Sequence, residues 1–336
     1  MCDMCSERAA KCFLSPAKVN LTLRVVGVRV DGFHALDSVV VPIGLADEIW
    51  VARGAPGSGV AVSVSGRGVD VGALPADPEK NLAVRAVRLL ERVAGRELPV
   101  QLTIRKQIPL GGGLGGGSSN AATVLRAVNE VWALGLPQER LLALGAELGS
   151  DVPLFVADGL ARMRGRGEHV ERWGGGAPLW LVLANDGTHC ATPSVYGAYD
   201  QLHAKDHLSA DNGLTNEGTM WDNLRLSLQS GEVSRVAQAL GNDLEQPCFG
   251  LFPSVARTAE ALRAAGCQGV TLCGSGATVF GLVQSREAGE RALAHPALAG
   301  CWRTCIQTLP DGVMAAHGPL TPIVMVRIHV GQPVGC

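Results

Sequence analysis

The sequence predicts an α+β protein of two domains. Three observations carry this: the chain's length, its mixture of period-two and helical apolar patterns, and a glycine-dense segment set between a strand and a helix. Its 336 residues exceed the roughly 250–300 at which single hydrophobic cores stop growing. The patterns divide the chain into a disordered lead-in over 1–12, an N-terminal domain over 13–172, a C-terminal domain over 173–316 and a tail over 317–336. The tail contains the apolar run Ile323–Ile328, to which the sequence gives no role.

From Ala17 to Val25 apolar and polar residues alternate, with Val19, Leu21, Leu23 and Val25 on one face and Lys18, Asn20, Thr22 and Arg24 on the other. That period predicts a half-buried strand whose polar face can line a cleft. Asp31-Gly32 marks a turn, a second strand begins at Val39–Val41, and Gly54–Gly68 suits strands joined by a glycine turn. Asn81–Ala94 carries apolar residues at helical spacing, and Val100–Ile104 returns to period two. A helix with Ala121, Val124, Leu125, Val128, Val131 and Trp132 on its buried face follows the glycine segment. A further helix runs from Pro137, a favoured first-turn residue, to Leu148, with Gly149 as its stop. The second half offers a strand at Pro178–Ala184, a polar mobile loop at Asp206–Gly218 and a helix at Ser254–Ala265. Strands at Val270–Leu272 and Thr278–Val283 then flank a turn at Cys273–Ala277.

Composition excludes several classes. Net charge is −2 with both signs interspersed, so the basic stripe of a nucleic-acid binder is missing. No apolar run approaches the roughly 18 residues of a membrane span, and Met1–Lys11 lacks the apolar centre of a signal peptide. The cytoplasm is the expected compartment and a small molecule the expected partner, with the oligomeric state open. The ten cysteines are scattered; Cys2 and Cys5 form one C-x-x-C without a matching pair, so reduced thiols are expected and no metal site is assigned.

Six glycines crowd Pro109-Leu110-Gly111-Gly112-Gly113-Leu114-Gly115-Gly116-Gly117-Ser118-Ser119. Such a run is costly in the interior of a helix or strand. Between a strand and a helix it lets backbone N–H groups converge on an anion, with the next helix adding its own unpaired amides and positive end. Ser118, Ser119 and Asn120 can add hydrogen bonds or cap that helix. This reads as a phosphate cradle, the rival being a hinge or close-packed turn. The segment contains G-x-G-x-x-G, but Glu130 lies on the helix and not at the end of a second strand, so a dinucleotide fold fails. The Gly-Lys-Ser/Thr of a P-loop is missing, as are the H-R-D and D-F-G of protein kinases.

Pro109–Ser119 with Asn120-Ala121-Ala122 resembles the central motif of the GHMP kinases. The form with two glycine triplets around a leucine is most similar to the branch that phosphorylates 4-diphosphocytidyl-2-C-methyl-D-erythritol. Three further places agree in the family's order: Ser15–Leu21 with Arg29–His34, Gly149–Pro153, and Gly274–Ala277. The resemblance runs from about Lys11 to about His317. It implies the two-domain GHMP kinase fold with its active site in the interdomain cleft, and ATP as phosphate donor with Mg2+ accompanying it. The implied product is the 2-phosphate, made in non-mevalonate isoprenoid synthesis. Another GHMP small-molecule kinase, such as homoserine or mevalonate kinase, or a silent ligand-binding member are the alternatives.

By the same resemblance Asp151 is the general base and Lys18 stabilises charge on the transferred group. On pattern alone Asp151 reads equally as a turn or capping residue, and Lys18 as a solvated lysine. Phe33 and His34 are implied to stack on and hydrogen-bond the cytosine, Tyr196 to be a second aromatic beside it, and Asn20 to reach the tetritol hydroxyls or phosphate. The family usually has Tyr where this chain has Phe33, which removes a hydroxyl and keeps the stacking face. Gly274, Ser275 and Gly276 are implied to bring C-terminal backbone to the substrate, a plain hairpin being the rival. Lys106 can meet a phosphate or be solvated.

Overall fold

The computed structural model describes residues 10–203 and 217–312. The lead-in cysteines Cys2 and Cys5, the tract 206–216 and the tail 317–336 lie outside the described residues. The chain forms two compact units, each discontinuous in sequence: residues up to 17 with 45–110 and 115–158, and residues 18–44 with 111–114 and those from 159 onward. The long strands β1 (Lys11–Val28) and β2 (His34–Arg53) each contribute to both units.

In the first unit, the later part of β2 pairs antiparallel with β4 (Val100–Lys106), and β3 (Val60–Gly66) pairs parallel with β4. Gly54–Gly68 therefore yields a glycine-bearing turn and the strand β3, joined to β2 as expected but not paired with it. Helices α1 (Leu82–Ala94), α2 (Gly116–Val131), α3 (Gln138–Leu148) and α4 (Val152–Ala157) complete the unit. Their ends follow from local chemistry: Asn81 caps α1 by accepting from the Ala83 N–H, and Gly95 closes it in the left-handed region at φ 64°. Ile49, Val51, Leu102 and Ile104 of the strands meet Val87, Leu90, Val124, Leu125, Leu144 and Phe155 of the helices in one buried core.

In the second unit, the earlier part of β2 pairs antiparallel with β5 (Ala161–Gly165), which pairs with β6 (His169–Arg172). Strand β1 pairs parallel with the short β8 (Gly241–Asn242). A second sheet has the order β11 (Trp302–Gln307), β7 (Trp180–Asn185), β10 (Val279–Val283), β9 (Gln268–Leu272), all antiparallel. Six helices belong to the described part of this unit: α5 (Thr192–His203), α6 (Glu217–Ser230), α7 (Val233–Ala239), α8 (Glu245–Leu251), α9 (Pro253–Ala264) and α10 (Arg286–Leu293). Val182, Ala184, Leu262, Leu272 and Val279 lie in its core.

Four sequence expectations are corrected here. Lys11 and Cys12 are strand, not lead-in, and β2 starts at His34 rather than near Val39. Residues 217–218, read as part of a mobile loop, begin α6. The polar face of β1 is buried as deeply as the apolar one up to Thr22, with Lys18 5%, Asn20 6% and Thr22 5% exposed, and only Arg24 reaches solvent. Lys18 is not a solvated lysine.

Candidate active site

The buried polar face of β1 is consistent with its alternation, because each buried polar side chain has a partner, Thr22 Oγ1 accepting from the Val39 N–H. Lys18 Nζ donates to Asn20 Oδ1 at 2.7 Å, Asn20 Nδ2 to Ser38 Oγ at 2.8 Å, and Ser38 Oγ to the Thr22 carbonyl. An amide that accepts from an ammonium and donates to a hydroxyl holds Lys18 in one place without neutralising it. The turn at 273–277 belongs to the same unit. A Cβ at Gly274, which has φ +55°, would stand 3.4 Å from Lys18 Nζ and 3.7 Å from Asn20 Oδ1. Burial pushes the Cys273 thiol up to about 12, with the Lys18 charge pulling the other way. Asn242, which the sequence reading missed, fixes the turn by donating to the carbonyls of Leu272 and Gly274 at 2.9 and 2.7 Å.

The glycine segment divides between two tasks. Its first part threads the second unit: Lys18 N–H donates to the Leu114 carbonyl at 3.1 Å, and Thr278 N–H reaches the Gly112 carbonyl at 3.3 Å. A Cβ on Gly113, at φ +75°, would fall 2.0 Å from the Cys273 carbonyl oxygen. Gly113 thus answers a close approach of two backbones, which the hinge-or-turn rival had anticipated in part. Pro109 and Leu110 are half-buried and Leu114 is buried.

The later part of the segment is a helix start. Gly115 is the N-cap of α2 at φ 72°, and Gly116 and Gly117 form the first turn. No side chain caps this end, so the expectation that Ser118, Ser119 or Asn120 does so is overturned. Ser119 Oγ is buried against Ser15 Oγ at 2.8 Å, and Asn120 is drawn inward by Ser15, Asp47 and Lys106. The amides of the first helical turn are left to serve another acceptor.

Lys106 is neither solvated nor turned outward. It is buried, pairs with Asp47 at 2.5 Å and donates to Asn120 Oδ1 at 3.0 Å. Asp47 also accepts from the Gln107 and Ile108 N–H groups at 2.8 and 3.0 Å, so this carboxylate ties the entry of the glycine segment to β2. A Cβ on Gly116 would stand 3.2 Å from Lys106 Nζ and 3.1 Å from Ile108 Cγ2.

Asp151 occupies the N-cap position of α4 with φ −87° and ψ −9°, yet makes no side-chain cap hydrogen bond. The capping role that its position suggested is therefore not what its carboxylate does.

Phe33 and His34 form the entry to β2. The Phe33 ring is half exposed, and the Arg166 guanidinium lies over it at 3.8 Å. Beside them Asp31 sits below the usual carboxylate range: desolvation is the largest single influence and raises it, but the Phe33 N–H and the Arg29 and Arg166 charges together outweigh that. His34 turns away to α5, where Nε2 lies 2.7 Å from Asp200 Oδ1 and the ring packs on Tyr196 with centroids 4.7 Å apart. Ser275 Oγ meets Thr192 Oγ1 at the start of α5 at 2.8 Å. Gly276 packs against two thiols, since a Cβ there would lie 3.1 Å from Cys248 Sγ and 3.5 Å from Cys190 Sγ. Arg166 and Asp200 were not found from the sequence, because nothing in their neighbourhood marks them.

Among the described residues no group of three or more His, Cys, Asp and Glu side chains is arranged to hold a metal, and no helix is long and apolar enough to cross a membrane.

The family profile for the GHMP kinases N terminal domain matches residues 81–159, and that for the GHMP kinases C terminal region matches 224–296. The 4-diphosphocytidyl-2-C-methyl-D-erythritol kinase of Citrifermentans bemidjiense is 38% identical over 298 residues, which is 86% of this chain and 95% of that one. The chain belongs to the GHMP kinases. Within that family it falls in the branch of the 4-diphosphocytidyl-2-C-methyl-D-erythritol kinases. A crystal structure of 4-(cytidine 5'-diphospho)-2C-methyl-D-erythritol kinase superposes with TM-score 0.72 at 32% identity, covering 89% of this chain and 100% of that one. Homoserine kinase from Cytophaga hutchinsonii shares the fold alone, with TM-score 0.67, 18% identity and coverage of 91% and 96%. The GHMP kinase fold expected from the motifs is the one observed. As a member of a kinase family the chain takes ATP as its phosphate donor.

Proposed function

We propose that this GHMP kinase transfers the γ-phosphoryl group of ATP to the C2 hydroxyl of 4-diphosphocytidyl-2-C-methyl-D-erythritol, releasing ADP and the 2-phosphate, as a step of non-mevalonate isoprenoid synthesis. The observation that carries the reading is the 38% identity over nearly the whole of a relative so named. The buried Lys18–Asn20 pair under the 273–277 turn supports it. Phosphoryl transfer asks a protein chiefly for positioning and for charge stabilisation. Lys18 supplies a positive charge held in a fixed place, and Asn20, which orients it, contacts the tetritol or its phosphate. Asp151, whose carboxylate does not cap its own helix, accepts the proton of the C2 hydroxyl. That hydroxyl is tertiary and crowded, so orientation contributes as much as proton removal.

The uncapped first turn of α2, with Pro109–Ser119 leading through it, receives the ATP phosphates on backbone N–H groups. Mg2+ comes bound to the triphosphate; it keeps several waters and needs few protein ligands. Phe33 and Tyr196 supply aromatic surface for the cytosine, His34 reads its edge, and Gly274, Ser275 and Gly276 bring backbone to the substrate. The protein works as a small-molecule enzyme of the cytoplasm. A coupled ADP-release assay with the cytidyl substrate, homoserine and mevalonate tests the reading. Turnover of the first alone is expected, and turnover of either other substrate at a higher kcat/KM overturns it.

A further inference from the structure

His34 is gripped by one face of one helix. Tyr196, Tyr199 and Asp200 of α5 stand at i, i+3 and i+4, the spacing that puts side chains side by side on a helix surface. Tyr196 lies across the imidazole, tilted by 30°, and Tyr199 meets it edge-on with centroids 6.1 Å apart. His203, one turn further on, stacks on Tyr199 at 4.2 Å and holds the Tyr199 carbonyl through Nδ1 at 2.9 Å. The His34 side chain is only 12% exposed, and its Nε2 is 2.7 Å from Asp200 Oδ1. Two aromatic rings and a carboxylate thus fix which way the imidazole points.

They also fix where its proton sits. A carboxylate can only accept, so the hydrogen of this short contact belongs to His34 Nε2. In the neutral ring Nδ1 is then a lone pair. Among the described residues Nδ1 takes no hydrogen bond. Cytosine carries an amino donor at its 4-position, where uracil carries a carbonyl acceptor. A lone pair is satisfied by the first and repelled by the second.

We propose that Asp200 is a specificity-setting positioning residue: it holds His34 as the Nε2–H tautomer, so that Nδ1 accepts from the 4-amino group of cytosine and rejects the 4-carbonyl of uracil. This rests on the reading that His34 faces the base of a cytidyl substrate. Tyr196 and Tyr199 keep the ring in the plane this requires. The Asp200 side chain is half exposed at 47%, so its replacement by an isostere leaves the core untouched.

The test combines spectroscopy with a specificity ratio. The 15N shifts of His34 at pH 8, assigned by their loss in His34→Gln, are expected to show the neutral Nε2–H form. In Asp200→Asn, whose amide can also donate, the Nδ1–H form is expected to appear. Discrimination between the cytidyl substrate and its uridyl analogue, measured as kcat/KM, should fall roughly tenfold or more in that variant, the range for one base-edge contact. The change should lie in KM for the cytidyl substrate, with KM for ATP unmoved, and Asp200→Glu should recover part of it. A wild-type His34 that is Nδ1–H or doubly protonated overturns the proposal, as does an Asp200→Asn enzyme that loses both substrates equally. If His34→Ala destroys discrimination while Asp200→Asn keeps it, only the role of Asp200 falls. If His34→Ala keeps discrimination too, the assignment of His34 to the base falls with it.

Discussion

Asp47→Ala should be among the most damaging single substitutions in the first unit. The native side chain is fully buried and its Lys106 partner is 4% exposed. The same carboxylate accepts from the Gln107 N–H, the Ile108 N–H and Asn120 Nδ2 at 2.8, 3.0 and 2.9 Å. Alanine leaves the ammonium with Asn120 Oδ1 alone and orphans two backbone donors. Breaking a buried pair by removing one partner costs about 3–5 kcal/mol, and each unsatisfied buried donor about 1–3 kcal/mol before relaxation or water entry. A loss of about 4 kcal/mol is therefore a conservative expectation. The first unit lies in size between domains of about 60–100 and of about 150–250 residues, so that corresponds to a fall in Tm of about 16 °C. Thermal and urea unfolding followed by circular dichroism measure it. The double variant Asp47→Leu with Lys106→Met removes both charges and should regain part of the loss, since an apolar pair needs no counter-ion. An Asp47→Ala protein within about 1 kcal/mol of wild type, or a double variant less stable than the single one, refutes this account of the pair.

Other expectations follow from the same geometry. Asp151→Asn should keep ATP binding and lose turnover by about 10²–10⁴-fold; near-normal turnover of the folded variant removes Asp151 from the mechanism. Gly113→Ala should cost far more stability than Gly117→Ala, because the added carbon meets the Cys273 carbonyl at 2.0 Å in one case and nothing nearer than Leu82 Cδ1 at 3.8 Å in the other; equal melting temperatures would contradict this. Phe33→Ala should weaken the cytidyl substrate by about 1–3 kcal/mol and leave ATP affinity unchanged, which paired titrations check; equal loss of both ligands removes Phe33 from the cytosine pocket. Burial holds the Cys267 and Cys273 thiols up to about 12 and Cys305 up to about 11. Their thiolates form only as pH rises toward those values, so native alkylation at pH 8 should spare these three and, among the described cysteines, reach half-buried Cys12 first; peptide mapping that finds Cys273 labelled as fast as Cys12 contradicts that burial.

The sequence by itself determined the elements whose signal is local. Alternation marked β1 and β4, helical spacing and Asn81 marked α1, and Pro137 with Gly149 bounded α3. The ordered motifs marked the family. A finer reading of the same alternation also contains the buried ion pair: Asp47 stands in the buried phase of Leu45, Ile49 and Val51, and Lys106 in that of Val100, Leu102 and Ile104. The register Glu48↔Arg105, continued by one step, sets the two opposite each other. A charge in an apolar phase is legible as a demand for a partner, though it does not say which.

Tertiary structure decided what depends on chain segments far apart in sequence. Gly113 is glycine because Cys273, 160 positions later, brings its carbonyl there, and a local reading attributes all six glycines to phosphate. Asp200 matters because α5 packs it on His34, 166 residues away. The division into two discontinuous units follows from β1 and β2 each serving both. Period and propensity are properties of neighbours along the chain. Close backbone approach, a tautomer and an ion pair's partner are properties of neighbours in space, and only the fold sets those.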